Sequence, residues 1–147
     1  MKKRKFIDHS KKAIIHPNVW GPINLLQGRE HLTVLYLLLI LNPKRTYKFS
    51  ICKSTFLEPK GVTGGWRLLH AENIHIVKNN FDNDCTVVSG KSLHRCTLYF
   101  PELPRDVGNF SLVEYRLDKE GFHKTGLWKP RNGMLWLDFY YDDESVE

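Results

Sequence analysis

The sequence predicts a mainly β fold: an antiparallel β-sandwich or open barrel of about seven to eight short strands with one or two short helices. Three observations carry this. Short runs rich in β-branched and aromatic residues recur along the chain, several of them alternating polar and apolar positions. Clusters of Gly, Pro, Asn and Asp separate those runs. Amphipathic helical patterns are few, and there is no internal repeat or low-complexity segment. At 147 residues, with 41% hydrophobic and 26% charged residues, the chain fits a single domain, 1–147, with ordinary globular composition.

Charge is distributed unevenly. All 22 Lys and Arg and 11 of the 16 acids lie at or before Arg131, a balance of +11, while the last sixteen residues carry −5. A basic arm at 1–12, with Lys2, Lys3, Arg4, Lys5, Lys11 and Lys12 against Asp8, is expected to be mobile, and an acidic tail at 142–147 to be frayed. The segment 13–22 (AIIHPNVWGP) reads as irregular and pinned by its apolar side chains, with room for an edge strand at 13–16. No apolar h-region follows the basic start, and the ten-residue run at 32–41 is too short to span a bilayer. Three cysteines without framework spacing (Cys52, Cys85, Cys96) suit free thiols in a reducing compartment. The expected setting is cytoplasmic, with no membrane partner.

The run Leu32–Leu41 (LTVLYLLLIL) must be buried, since only Thr33 and Tyr36 offer side-chain polar atoms. Its periodicity does not separate helix from strand, but its neighbour favours strand. Asn42-Pro43-Lys44-Arg45 has the Pro placement of a type I turn, and Thr46–Cys52 (TYKFSIC) alternates strictly. A hairpin closed there would set Ile40 against Tyr47, Leu38 against Phe49 and Tyr36 against Ile51 as the core face. Leu35, Leu37 and Leu39 would then form a second apolar face, covered internally or by a partner. Residues 23–32 or those following Trp66 could supply a covering helix.

Further on, 56–66 (FLEPKGVTGGW) reads as a loop, 67–73 as a short helical turn, 74–78 as a strand and 79–84 (NNFDND) as a turn. A second hairpin is expected from 85–89 through a Gly90-Lys91 turn to 92–100, which would put Cys85 opposite Cys96. After the break at 101–108 come three antiparallel strands, 110–117, 122–128 and 134–141.

Motifs for chemistry are sparse. Gly90-Lys91-Ser92 resembles the end of a phosphate loop, but Cys85 stands where that loop needs its first Gly, and the context is strand, turn, strand. Gly61-Val-Thr-Gly-Gly65 could cradle an anion and otherwise is a flexible connection. Seven histidines and three cysteines provide no pair at metal-motif spacing, and the one grouping brought together by the expected hairpin is His94 with Cys85 and Cys96. No metal, cofactor or catalytic residue is assigned.

The reading that follows is a non-enzymatic intracellular binding protein, a regulator, inhibitor or assembly component whose partner is another protein or protein complex. Its candidate contact residues are Leu35, Leu37, Leu39, Met134, Trp136 and Tyr140. The alternative is DNA or RNA binding through Lys2, Lys3, Arg4, Lys5, Lys11, Lys12 and a basic surface, with Trp66, Tyr99, Trp128, Trp136 and Tyr140 as possible stacking rings. A small enzyme whose site is assembled from distant residues is the third reading.

Overall fold

The computed structural model describes residues 19–61, 66–79, 81–104, 109–116, 119–131 and 134–139, with side chains described up to Glu114 except at 27–29. Twelve strands run through these residues: β1 (Trp20–Arg29), β2 (Leu32–Ile40), β3 (Thr46–Cys52), β4 (Phe56–Pro59), β5 (Trp66–Arg67), β6 (His70–Glu72), β7 (His75–Val77), β8 (Thr86–Ser89), β9 (Leu93–Pro101), β10 (Phe110–Arg116), β11 (Lys119–Arg131) and β12 (Met134–Phe139). The mainly β architecture is as expected. The anticipated short helices are not: 23–32 lies largely in β1, and 67–73 contains β6.

Nine strands form one sheet in the order β5-β4-β10-β11-β12-β1-β2-β9-β6, and three form another, β7-β3-β8. The first and last strands of the large sheet, β5 and β6, are separated in sequence only by Leu68 and Leu69. Leu69 N–H donates to Tyr99 O (2.8 Å) on the β9 side, and Leu68 N–H donates to Thr55 O (2.8 Å) beside β4. The large sheet therefore curls until its two edges meet, an open barrel with the small sheet packed onto its core.

β2 lies at the centre of this arrangement. It pairs antiparallel with β1 on one edge and with β9 on the other, so its backbone groups are engaged on both sides. The Asn42–Arg45 turn forms as expected: Asn42 Oδ1 accepts from Lys44 N–H (2.9 Å) and Asn42 O accepts from Arg45 N–H (3.0 Å). It does not close a hairpin. With both edges of β2 occupied, the chain crosses to the other layer, where β3 pairs antiparallel with β8 and parallel with β7.

That crossing inverts the expected faces. Leu35, Leu37 and Leu39 are at most 2% exposed and pack in one cluster with Ile23, Leu25, Phe49, Ile51, Cys96 and Leu98. Tyr36 and Leu38 are half-buried, and Ile40 is 49% exposed. Phe49 and Ile51 do reach the core, but from the opposing sheet. The three leucines thus fill this chain's own core and offer no surface to a partner.

The second expected hairpin is also absent, because β8 belongs to the small sheet and β9 to the large one. Gly90, at φ 73°, makes the turn between layers instead. Cys85 is therefore not paired with Cys96, and all three cysteines are free. The expected loop at 56–66 contains β4, which pairs with β10. The three-stranded run near the C-terminus stands as expected: β10 pairs with β11 and β11 with β12. β11 is longer than anticipated because it changes partners along its length, lying against β10 up to Thr125 and against β12 from Gly126.

Two buried polar contacts support the structure. Glu114 on β10 is 1% exposed, and its Oε2 accepts from Cys52 N–H (2.6 Å) at the end of β3, joining the sheets. Thr33 Oγ1, buried at the start of β2, accepts from Leu103 N–H (3.0 Å). The β1–β2 turn carries the clearest strain: Glu30 (φ 53°) and His31 (φ 63°) both occupy the left-handed region that a two-residue turn of this type usually fills with Asn-Gly.

Two outcomes are expected in denaturant unfolding. Leu37→Ala should cost about 2–5 kcal/mol by opening the core, and Leu38→Ala clearly less; the reverse order would restore the other face assignment. Replacing Glu30-His31 by Asn-Gly should raise stability, by about 1 kcal/mol for relief of the strained turn.

Candidate binding surface

The small sheet presents a basic end, built by its register. Thr46 opens β3 opposite Ser89, which closes β8, and their hydroxyls are hydrogen-bonded at 2.9 Å. Lys44 and Arg45, just before Thr46, and Lys91, just after Gly90, consequently leave the sheet at the same end. Lys48, opposite Val87, continues along the outward side. Lys44, Arg45, Lys48 and Lys91 are all exposed, as are Thr46, Ser89 and Val87. Neither 42–48 nor 87–91 contains an acid. Among the described residues the ion pairs are His31 with Glu102 and His75 with Asp82, so none engages these four cations.

The turn behind this surface is held firmly. Besides its two internal bonds, Asn42 N–H donates to Tyr47 Oη (3.0 Å), and the Tyr47 ring stacks on Phe49 with centroids 5.8 Å apart. The positions of Lys44 and Arg45 thus follow from a hydrogen-bonded turn anchored to a core aromatic pair. The strand alternation of Thr46–Cys52 foreshadowed Lys48 as outward, but only the pairing of β3 with β8 brings Lys91 alongside Lys44.

A second polar grouping lies at the end of β7. His75 Nε2 donates to both oxygens of Asp82 (3.0 and 2.9 Å). Asp82 also accepts from Asp84 N–H (3.1 Å) and, at 3.4 Å, from Lys78 N–H. Hydrogen bonding to His75 and to the Asp84 amide holds the Asp82 carboxyl below its ordinary value of 3.8. Ligand atoms of His75, Asp82 and Asp84 lie within 4.8 Å of one another, a grouping that residues 75, 82 and 84 do not betray by motif spacing. The arrangement is accounted for as a clamp: Asn79 Oδ1 accepts from Phe81 N–H (2.9 Å), Asn79 O from Asp82 N–H (3.2 Å), and the carboxylate ties the resulting turn to β7. This is the turn expected at 79–84, with Asn80 outside the described residues.

The remaining candidates separate rather than converge. His94, expected beside Cys85 and Cys96, donates from Nε2 to Asn73 O (2.6 Å) and stacks on Phe49. Burial pushes the Cys96 thiol up to about 12, far from a reactive thiolate. Trp66 is half-buried against the core. The Tyr99 hydroxyl donates to Glu72 Oε1 (2.7 Å), and its ring lies 5.7 Å from His70. In β12, Met134 pairs with Arg131 and Trp136 with Asn24 and Lys129, and Trp128 of β11 pairs with Leu137. The side chains of Trp128, Met134 and Trp136 lie outside the described residues, as do Tyr140, the arm residues Lys2, Lys3, Arg4, Lys5, Lys11 and Lys12, the segment 13–16, residues 62–65 of the glycine loop and the tail 142–147. Among the described residues no helix is long and apolar enough to cross a membrane.

No family model, curated protein or solved structure matches the chain.

The clamp makes a pH-dependent prediction. A carboxyl whose folded value is depressed contributes stability above its unfolded value and loses it as pH falls through the folded one, so the Asp82 contribution should fade below about pH 4. Carboxyl NMR titration of Asp82 should give a midpoint below 3.8 in the native chain and a higher one in His75→Ala. An unchanged midpoint would remove His75 as its cause.

Proposed function

We propose that the protein is a non-enzymatic binding protein that acts by macromolecular contact, as a regulator, inhibitor or assembly component, with the basic end of the small sheet as its contact surface. One observation carries the reading: Lys44, Arg45, Lys48 and Lys91 are exposed, gathered by strand register, and in no ion pair with another described residue. Surface cations left without counter-charges draw anionic partners, because their attraction is not already spent within the fold.

Leu35, Leu37 and Leu39 are consumed by the core and take no part in the proposed contact. Met134, Trp136 and Tyr140 stay in the proposal on residue type alone, and the basic arm on charge alone. Free thiols in Cys52, Cys85 and Cys96 support a reducing, intracellular setting. The His75–Asp82 pair holds a turn, and His94 is tied to backbone and ring contacts, which favours binding over catalysis.

On a polyanion column the native chain should elute at higher salt than on a simple cation exchanger of equal capacity. The charge reversal Lys44→Glu with Lys91→Glu should lower its elution salt more than Lys60→Glu with Arg67→Glu, which alters net charge equally at β4 and β5. Equal shifts for the two variants would take the basic end out of the proposal.

A further inference from the structure

We infer that the basic end of the small sheet is a sequence-independent contact surface for the phosphate backbone of double-stranded nucleic acid, an inference that rests on the binding reading above and names its partner. The donor chemistry comes first. The surface offers three lysines and an arginine around the hydrogen-bonded hydroxyls of Thr46 and Ser89. Lys, Arg, Ser and Thr side chains are the groups that contact phosphate oxygens in nucleic-acid complexes. The cores of protein interfaces, in contrast, are depleted in Lys and enriched in aromatic residues.

Placement is the second argument. Thr46 and Lys48 are alternate residues of one strand, about 7 Å apart on the same side. Lys44 and Lys91 lie just past the start of β3 and the end of β8, at the same end of the sheet. Several cations gathered at one end suit a repeating row of charges. The Asn42 turn and its bond to Tyr47 hold the backbone at Lys44 in place before any ligand arrives.

The scarcity of rings at this end favours duplex over single strand. Single-strand binders pair a basic groove with exposed aromatic rings on which bases stack. At this end the described aromatic is Tyr47, half-buried, stacked on Phe49 and hydrogen-bonded through its hydroxyl. No exposed ring stands among the cations in 42–48 or 87–91, so the surface has the means to hold phosphates and no ring on which to stack bases.

Fluorescence anisotropy on the full chain tests this, using two labelled duplexes of about 20 base pairs with unrelated sequences, a single-stranded oligothymidylate of the same length, and polyglutamate, over a salt series. Both duplexes should bind with equal affinity and more tightly than the single strand. The log–log salt slope should be about −3 to −4, as expected for about four neutralised phosphates, and Lys48→Ala should reduce it by about 1. Lys44→Glu with Lys91→Glu should weaken duplex binding at least tenfold, while Lys60→Glu with Arg67→Glu stays within threefold; thermal melts establish that both variants fold. Absence of duplex binding at low salt, a single strand binding more tightly, or equal losses in the two charge reversals would each overturn the inference. If polyglutamate alone binds, and only through Lys44 and Lys91, the nucleic-acid inference fails while the contact reading stands; if neither polymer binds, both fail.

Discussion

The rest of the structure depends on the saturation of β2. Its backbone is hydrogen-bonded to β1 along one edge and to β9 along the other, so no third strand can join it within its own sheet. Its leucines Leu35, Leu37 and Leu39 must then be covered from above, and the chain meets that demand by sending β3 into a second layer, with Phe49 and Ile51 facing them. Covering apolar area in this way is the dominant stabilising term available to a chain of this size. The second layer is small, three strands, and is fastened to the first by a buried carboxylate: Glu114 reaches across to the Cys52 amide, satisfying a donor where β3 ends.

Local chemistry made part of this legible. The strands at 110–116 and 134–139 and the turn at 79–84 are marked by residues that act on their immediate neighbours, and there the sequence sufficed. Long-range pairing was not marked. Thr46–Cys52 alternates correctly and follows a true turn, yet nearness in sequence suggested β2 as its partner when β8 and β7 are its actual neighbours. β2 itself is apolar on both sides, so its pattern contains no information about which side is the core, and the strand next in sequence is not the neighbour that would identify it. Ile23 and Leu25 in β1 alternate with polar or half-buried positions, but Gly, Pro and Gln in the same stretch hide the period.

The candidate surface was half visible for the same reason. An excess of cations over acids is a matter of counting residues. Their concentration at one end is a property of register: Lys44 and Lys91 are far apart in sequence and become neighbours only because Thr46 is paired with Ser89. The clamp of Asp82 by His75 belongs to the same category, since a strand residue and a turn residue seven positions later conform to no ligand motif.

The meeting of β5 and β6 through Leu68 and Leu69 bears on how copies of this protein behave toward one another. A curled sheet whose borders are joined through two residues shortens the edge on which a foreign strand could template, and the small sheet keeps β7 and β8 as outer strands. β8 is its outer strand, four residues without Pro or Lys, and Val87 stands 58% exposed on it. Lys48 directly opposite and Lys91 just beyond guard that strand, because two copies approaching through β8 would bring like charges together. The cations proposed to meet an anion also set like charges against a second copy approaching along β8, and neutralising them, by mutation or by a bound polyanion, would weaken that repulsion.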